Sequence, residues 1–71
     1  MTYQEAKTHV KTGHIESRYG DPCVCETVYT MPDGTRLQES ESRLESTEWY
    51  YRLCELPYPG RRLCDLTFWG G

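Results

Sequence analysis

The chain has no apolar run approaching the roughly 20 residues that a membrane-spanning helix needs. A polar stretch follows Met1 at once, without the apolar segment of a secretory signal. The expectation is a cytoplasmic protein with no membrane partner and with reduced thiols. Basic residues are also few. Eight Lys and Arg stand against eleven Asp and Glu, a net charge of -3, so the basic footprint of a general nucleic-acid binder is missing and direct nucleic-acid binding is disfavoured. Catalytic signatures are absent too. His9 and His14 fall near one helix end with no Asp or Glu placed to orient them, so neither reads as the base of a thiol nucleophile. No catalytic residue and no cofactor is expected. There is no internal repeat and no linker, and 71 residues leave room for one domain, residues 1–71. A core this small gives marginal stability without a staple or a partner.

What the chain does have is aromatic side chains, 13% of its residues, which bury large areas each and argue for a folded domain. They concentrate between Trp49 and Trp69. Two apolar, aromatic runs there flank the turn cluster Leu56-Pro57-Tyr58-Pro59-Gly60, the pattern of a β-hairpin. Centring it on Pro59 sets Cys54 opposite Cys64, Arg52 opposite Leu66, Tyr50 opposite Phe68 and Trp49 opposite Trp69. Trp49, Tyr51 and Trp69 then share one face, with Tyr50 and Phe68 on the other.

Upstream, Thr2 and Glu5 form a capping-box pattern. Tyr3, Ala6 and Val10 fall at helical spacing, with Gln4, Lys7, Thr8 and Lys11 outward. An amphipathic helix over about residues 3–12 follows, stopped by a left-handed Gly13. His14 to Tyr19 reads as a short strand ended by Gly20-Asp21, with pairing disturbed by Pro22. Cys23 to Met31, rich in β-branched residues, reads as the next strand. Pro32-Asp33-Gly34 makes a turn. Thr35 to Leu44 is a polar strand whose Leu37 and Leu44 disagree in face, which calls for a bulge or an early end. Glu45-Ser46-Thr47 turns into the hairpin, and Gly70-Gly71 reads as a frayed end. The sum is an α+β fold: an N-terminal amphipathic helix packed on a four- to five-stranded antiparallel β-meander.

Two features carry functional expectations. The first is the cysteine set Cys23, Cys25, Cys54 and Cys64. Its plain reading is small, reduced, buried hydrophobes. A zinc site of all four and a Cys54–Cys64 disulfide are the alternatives. Zinc is disfavoured because a C-x-C pair on a strand spreads its sulfurs by about 7 Å. The second is the acidic tract beside the aromatics. Glu39 and Glu41 share a strand face about 7 Å apart, near the spacing of successive phosphates, so a carboxylate row could occupy a basic cleft. A solvated face charged against edge association is the plain reading.

The function expected from these features is a non-enzymatic binding or inhibitory module that masks a surface of a larger protein or nucleoprotein complex. Its contact surface combines Glu39, Glu41, Glu45 and Glu48 with Trp49, Tyr51, Arg52 and Trp69, an aromatic and arginine composition typical of binding hot spots. A phage-encoded inhibitor of a host defence complex, such as CRISPR interference, is one concrete member of that class. The alternative is a zinc- or disulfide-stabilised structural domain, and closure of a homodimer is another use for the second aromatic face.

Overall fold

The computed structural model describes residues 1–43 and 48–69. The expected turn at Glu45-Ser46-Thr47, Leu44, and the Gly70-Gly71 end lie outside the described residues.

Helix α1 spans Tyr3–Val10 and starts as the capping box dictates. The Thr2 hydroxyl accepts from the Glu5 N–H at 3.1 Å, and the Thr2 N–H donates to the Glu5 carboxylate at 2.8 Å. Burial of Ala6 and Val10 fixes its inward stripe. The helix caps at Lys11, and Thr12 closes the last turn by donating both N–H and hydroxyl to the His9 carbonyl. Gly13 is not left-handed; among the described residues Gly34, at φ 90, is the glycine with positive φ. Gly13 is required instead by contact, because a Cβ there would stand 2.6 Å from the Met31 sulfur.

Five strands follow: β1 (His14–Gly20), β2 (Val24–Thr30), β3 (Arg36–Arg43), β4 (Glu48–Leu56) and β5 (Arg62–Trp69). They form one antiparallel sheet in sequence order, a meander. The β1–β2 turn is held by Asp21, whose carboxylate accepts from the Cys23 and Val24 N–H groups at 2.8 Å each. The β2–β3 turn closes through Met31 N–H to Thr35 O at 2.7 Å, with Asp33 accepting from Thr35 N–H at 2.9 Å. Strand β3 pairs without interruption from Arg36 to Ser42 with β2 and from Arg36 to Arg43 with β4, so it has no bulge over this span. Leu44, which called for a bulge or an early end, lies outside the described residues. The bulges lie elsewhere. One is at Glu16, between Ile15 and Ser17 of β1, and the other at Leu63, where Leu53 pairs with Cys64 but Cys54 with Arg62.

That second bulge corrects the expected hairpin register. Arg52 faces Asp65, Tyr50 faces Thr67, Trp49 faces Phe68 and Glu48 faces Trp69, one residue away from the alignment centred on Pro59. The chain reverses about Tyr58, as the Glu55 N–H to Arg61 O bond shows. A slip of one moves side chains to the other face. Phe68 therefore joins Trp49 and Tyr51, and Cys54 parts from Cys64. Gly60 is needed in this turn because a Cβ would collide with the Glu55 carbonyl.

The helix lies on the face carrying Tyr29, Leu37, Tyr51, Leu53 and Cys64, and with Ala6, Val10 and Met31 these form the core. Tyr3 stands edge-on to Tyr51, ring centres 5.0 Å apart, and 5.1 Å from Phe68. Every side chain of β1 is exposed, so that strand overhangs the covered part of the sheet.

Candidate functional site

Glu39 belongs to the central strand and points toward the helix; it is 4% exposed. The burial of a carboxylate requires partners, and three are present. Lys7 Nζ donates to Glu39 Oε2 at 3.1 Å, the Tyr51 hydroxyl donates to the same oxygen at 2.7 Å, and the Tyr29 hydroxyl donates to Oε1 at 3.2 Å. Lys7 also reaches Glu41 Oε1 at 3.0 Å and passes 5.9 Å and 5.8 Å from the ring centres of Tyr3 and Tyr51. Burial opposes the charge on Lys7, but its bonds to Glu41 and Glu39 outweigh that and hold its pKa above the ordinary value. Burial, then the bond to Glu39, pushes the Tyr51 phenol up; burial and the Glu39 charge do the same to Tyr29. The ammonium and both phenols thus keep their protons as donors to a carboxylate whose two oxygens are both engaged. Three donors fill three of the four acceptor positions of the carboxylate, and Glu39 as a whole is 4% exposed. The cluster ties the helix to the middle of the sheet.

The sequence reading set Lys7 outward and missed Tyr29 as a partner. One signal was available. Lys7 follows Tyr3 by four residues, so the two share a stripe, and a lysine stem covers apolar surface while its tip seeks charge.

The structure divides the expected contact residues. Glu39 and Glu41 do share a face, but it is the helix side, and Tyr51 is fully buried there. Trp49 lies half-buried at the far end of that face, with the Arg43 guanidinium 5.0 Å from its ring. Arg52 and Glu48 alternate onto the second face. Glu45 and the Trp69 side chain lie outside the described residues; the Trp69 backbone pairs with Glu48.

No element among the described residues covers the second face. Along its middle run Ser40, Arg52 and Asp65, one from each of three neighbouring strands. Asp65 is bonded by Arg62 Nη1, and burial first, then the neighbouring Asp65, raises the Tyr50 phenol. Arg52 Nε is buried without a hydrogen-bond partner among the described residues. Ser40 and Cys54 are buried on this face although no described element lies over them.

The cysteines do not converge. All four are free, Cys23 exposed and Cys25 half-buried at one end of β2, Cys54 and Cys64 buried on opposite faces. Cys64 donates to the Met1 carbonyl at 3.3 Å, and burial raises its thiol pKa. The Cys54–Cys64 disulfide and the four-cysteine zinc set both depended on the other register. Among the described residues, no group of three or more His, Cys, Asp or Glu is placed to hold a metal. No helix among them is long and apolar enough to cross a membrane.

A cavity of about 360 Å³ opens between the end of α1, the β2–β3 turn and the β4–β5 turn. Its floor is Met31, Leu37 and Leu63, and Asp33, Glu55 and Arg61 stand at its rim. Residues from four elements build it, and no local sequence spacing announces it. Comparison of the chain with protein-family models, curated proteins and solved structures finds no match.

Proposed function

We propose that this chain is a non-enzymatic protein-binding module of the cytosol that acts by covering a surface of a larger protein or nucleoprotein complex. The observation that carries the reading is Arg52, whose Nε lies desolvated and unpartnered on an uncovered sheet face. A buried donor without an acceptor costs about 1–3 kcal/mol, and an approaching carboxylate or carbonyl relieves that cost if the guanidinium turns to meet it. Tyr50 and Arg52 on this face, and Trp49 with Arg43 at the far end of the helix side, have the composition of binding hot spots. The non-enzymatic part is supported by the Lys7–Glu39 cluster, whose polar groups satisfy one another.

The acidic contribution to the contact is narrower in this reading than a row of carboxylates. Glu39 and Glu41 are committed to Lys7, so Glu48 is left to act beside Tyr50 and Arg52. An inhibitor blocking a basic cleft remains a member of this class, working through the second face.

The test is affinity capture from the source cell, quantified by mass spectrometry, with the wild type against Arg52→Gln and Trp49→Ala. A partner held by the wild type and lost about tenfold by Arg52→Gln, with the circular dichroism spectrum unchanged, supports the reading. Equal capture by folded variants, or saturable turnover of a substrate by the purified chain, refutes it.

A further inference from the structure

We propose that the cavity between the end of α1 and the two turns receives a lysine side chain presented by the bound partner, its stem against Met31, Leu37 and Leu63 and its ammonium between Asp33 and Glu55. The inference rests on the reading of the chain as a protein-binding module and supplies the chemistry of one contact.

The floor is apolar, with Leu37 1% and Met31 5% exposed, so four incoming methylenes would leave water for apolar neighbours without displacing a polar contact. The rim sets the charge. Two carboxylates stand against one guanidinium, since Arg61 Nε bonds Glu55 Oε1 at 2.9 Å while Asp33 makes no ion pair among the described residues. The carboxyl end of α1 also faces this rim through His9 and Thr12, and a helix favours a cation at that end. The whole chain, at net charge -3, favours a basic partner in the same sense.

Lysine is selected over arginine by which oxygens are free. Asp33 Oδ1 is occupied by the Thr35 N–H, and Glu55 Oε1 by Arg61. Each carboxylate therefore keeps one oxygen for a ligand. A planar guanidinium fork is best met by both oxygens of one carboxylate, whereas an ammonium is a point charge that donates in three directions. Two single acceptors, one on the β2–β3 turn and one near the end of β4, suit the ammonium.

The experiment is an NMR titration of the isotope-labelled chain with acetyl-Gly-Lys-Gly-amide. The norleucine analogue, which keeps the stem without the charge, the arginine analogue and n-butylamine are run beside it. The lysine peptide is expected to shift Thr12, Asp33, Thr35 and Arg61, and to bind about fivefold tighter than the norleucine peptide. Asp33→Asn should remove most of that difference while its side-chain carbonyl still accepts from Thr35, an intact turn being read from the Gly34 resonance. Equal binding of lysine and norleucine peptides, tighter binding of arginine, or shifts confined to other residues would overturn the proposal. So would n-butylamine matching the peptide, which would make this a small-amine site. Undiminished partner capture by Asp33→Asn removes the lysine contact and leaves the binding reading standing. Peptide binding by a chain that captures no partner does the reverse.

Discussion

Removing the Lys7 ammonium should destabilise the fold far more than its half-exposed position suggests. Lys7→Met keeps most of the stem that packs along Tyr3 and Tyr51 but leaves the Glu39 carboxylate, 4% exposed, with phenol donors alone. Stripping one partner from a fully buried ion pair costs about 3–5 kcal/mol. The Lys7 side chain is 36% exposed, so water screens part of the attraction, and the discounted cost is about 2 kcal/mol. In a domain of this size that lowers Tm by about 8–16 °C. Glu39→Gln should cost less, about 1 kcal/mol, because Lys7 keeps Glu41 at 3.0 Å and the amide oxygen still accepts from Tyr51 while its NH2 can donate to the Tyr29 hydroxyl. The double variant strands no fully buried charge, since Glu41, which also loses Lys7, is 25% exposed, so its loss should fall short of the sum by about 1 kcal/mol. Urea and thermal unfolding followed by circular dichroism give the cycle. Additivity within about 0.5 kcal/mol would refute the coupling and leave the helix held by apolar contacts alone.

The same cluster sets an alkaline limit. Lys7, Tyr29 and Tyr51 all have raised pKa values in the fold. Their contribution is complete below their unfolded values near pH 10 and is lost as pH rises above them. Tm should fall as pH rises above about 10, with phenolate absorbance of the buried tyrosines appearing only as the fold is lost; early titration of all six tyrosines would contradict this. Gly13→Ala should cost about 1 kcal/mol through the contact with the Met31 sulfur. A gain in stability, the usual result where only chain entropy changes, would show that the contact relaxes freely. Thiol labelling should find Cys23 fast, with Cys54 and Cys64 reacting only as the sheet opens. Rapid modification of either buried thiol would place it at the surface.

Local chemistry was legible where the partners are close in sequence. The Thr2–Glu5 box, the Asp33–Gly34 turn and the alternation of Cys23 to Met31 each determine their own geometry within a few residues, and the helix and strands follow. Register was not legible. The cluster from Leu56 to Gly60 is compatible with reversal about Tyr58 or Pro59, and the Leu63 bulge shifts the pairing again. An error of one then reversed Phe68 and separated Cys54 from Cys64, so every inference built on their pairing moved with it. Gly13 was misjudged for a related reason: its neighbour, Met31, arrives from eighteen positions away.

The polar strand shows why local reading stops where it does. RLQESESR looks like an edge, yet it occupies the centre of the sheet. Glu39 can sit there because Thr27 and Leu53 flank it, Tyr29 and Tyr51 reach it from the two neighbouring strands, and Lys7 descends from the helix. Each partner comes from a different element, and none is useful alone. Shifting β3 by one residue against either neighbour would put Glu39 on the second face, away from all three donors, and turn Gln38 and Ser40 under the helix. The unmet polar groups make that alternative costly, more so than an exchange of one aliphatic side chain for another. A buried carboxylate therefore discriminates between registers where a purely apolar strand would tolerate several. It also fixes the helix, whose closest backbone neighbour is the edge strand β5, at the angle that lets Lys7 reach the middle of the sheet. That same angle leaves the end of α1 beside the two turns, where the cavity forms.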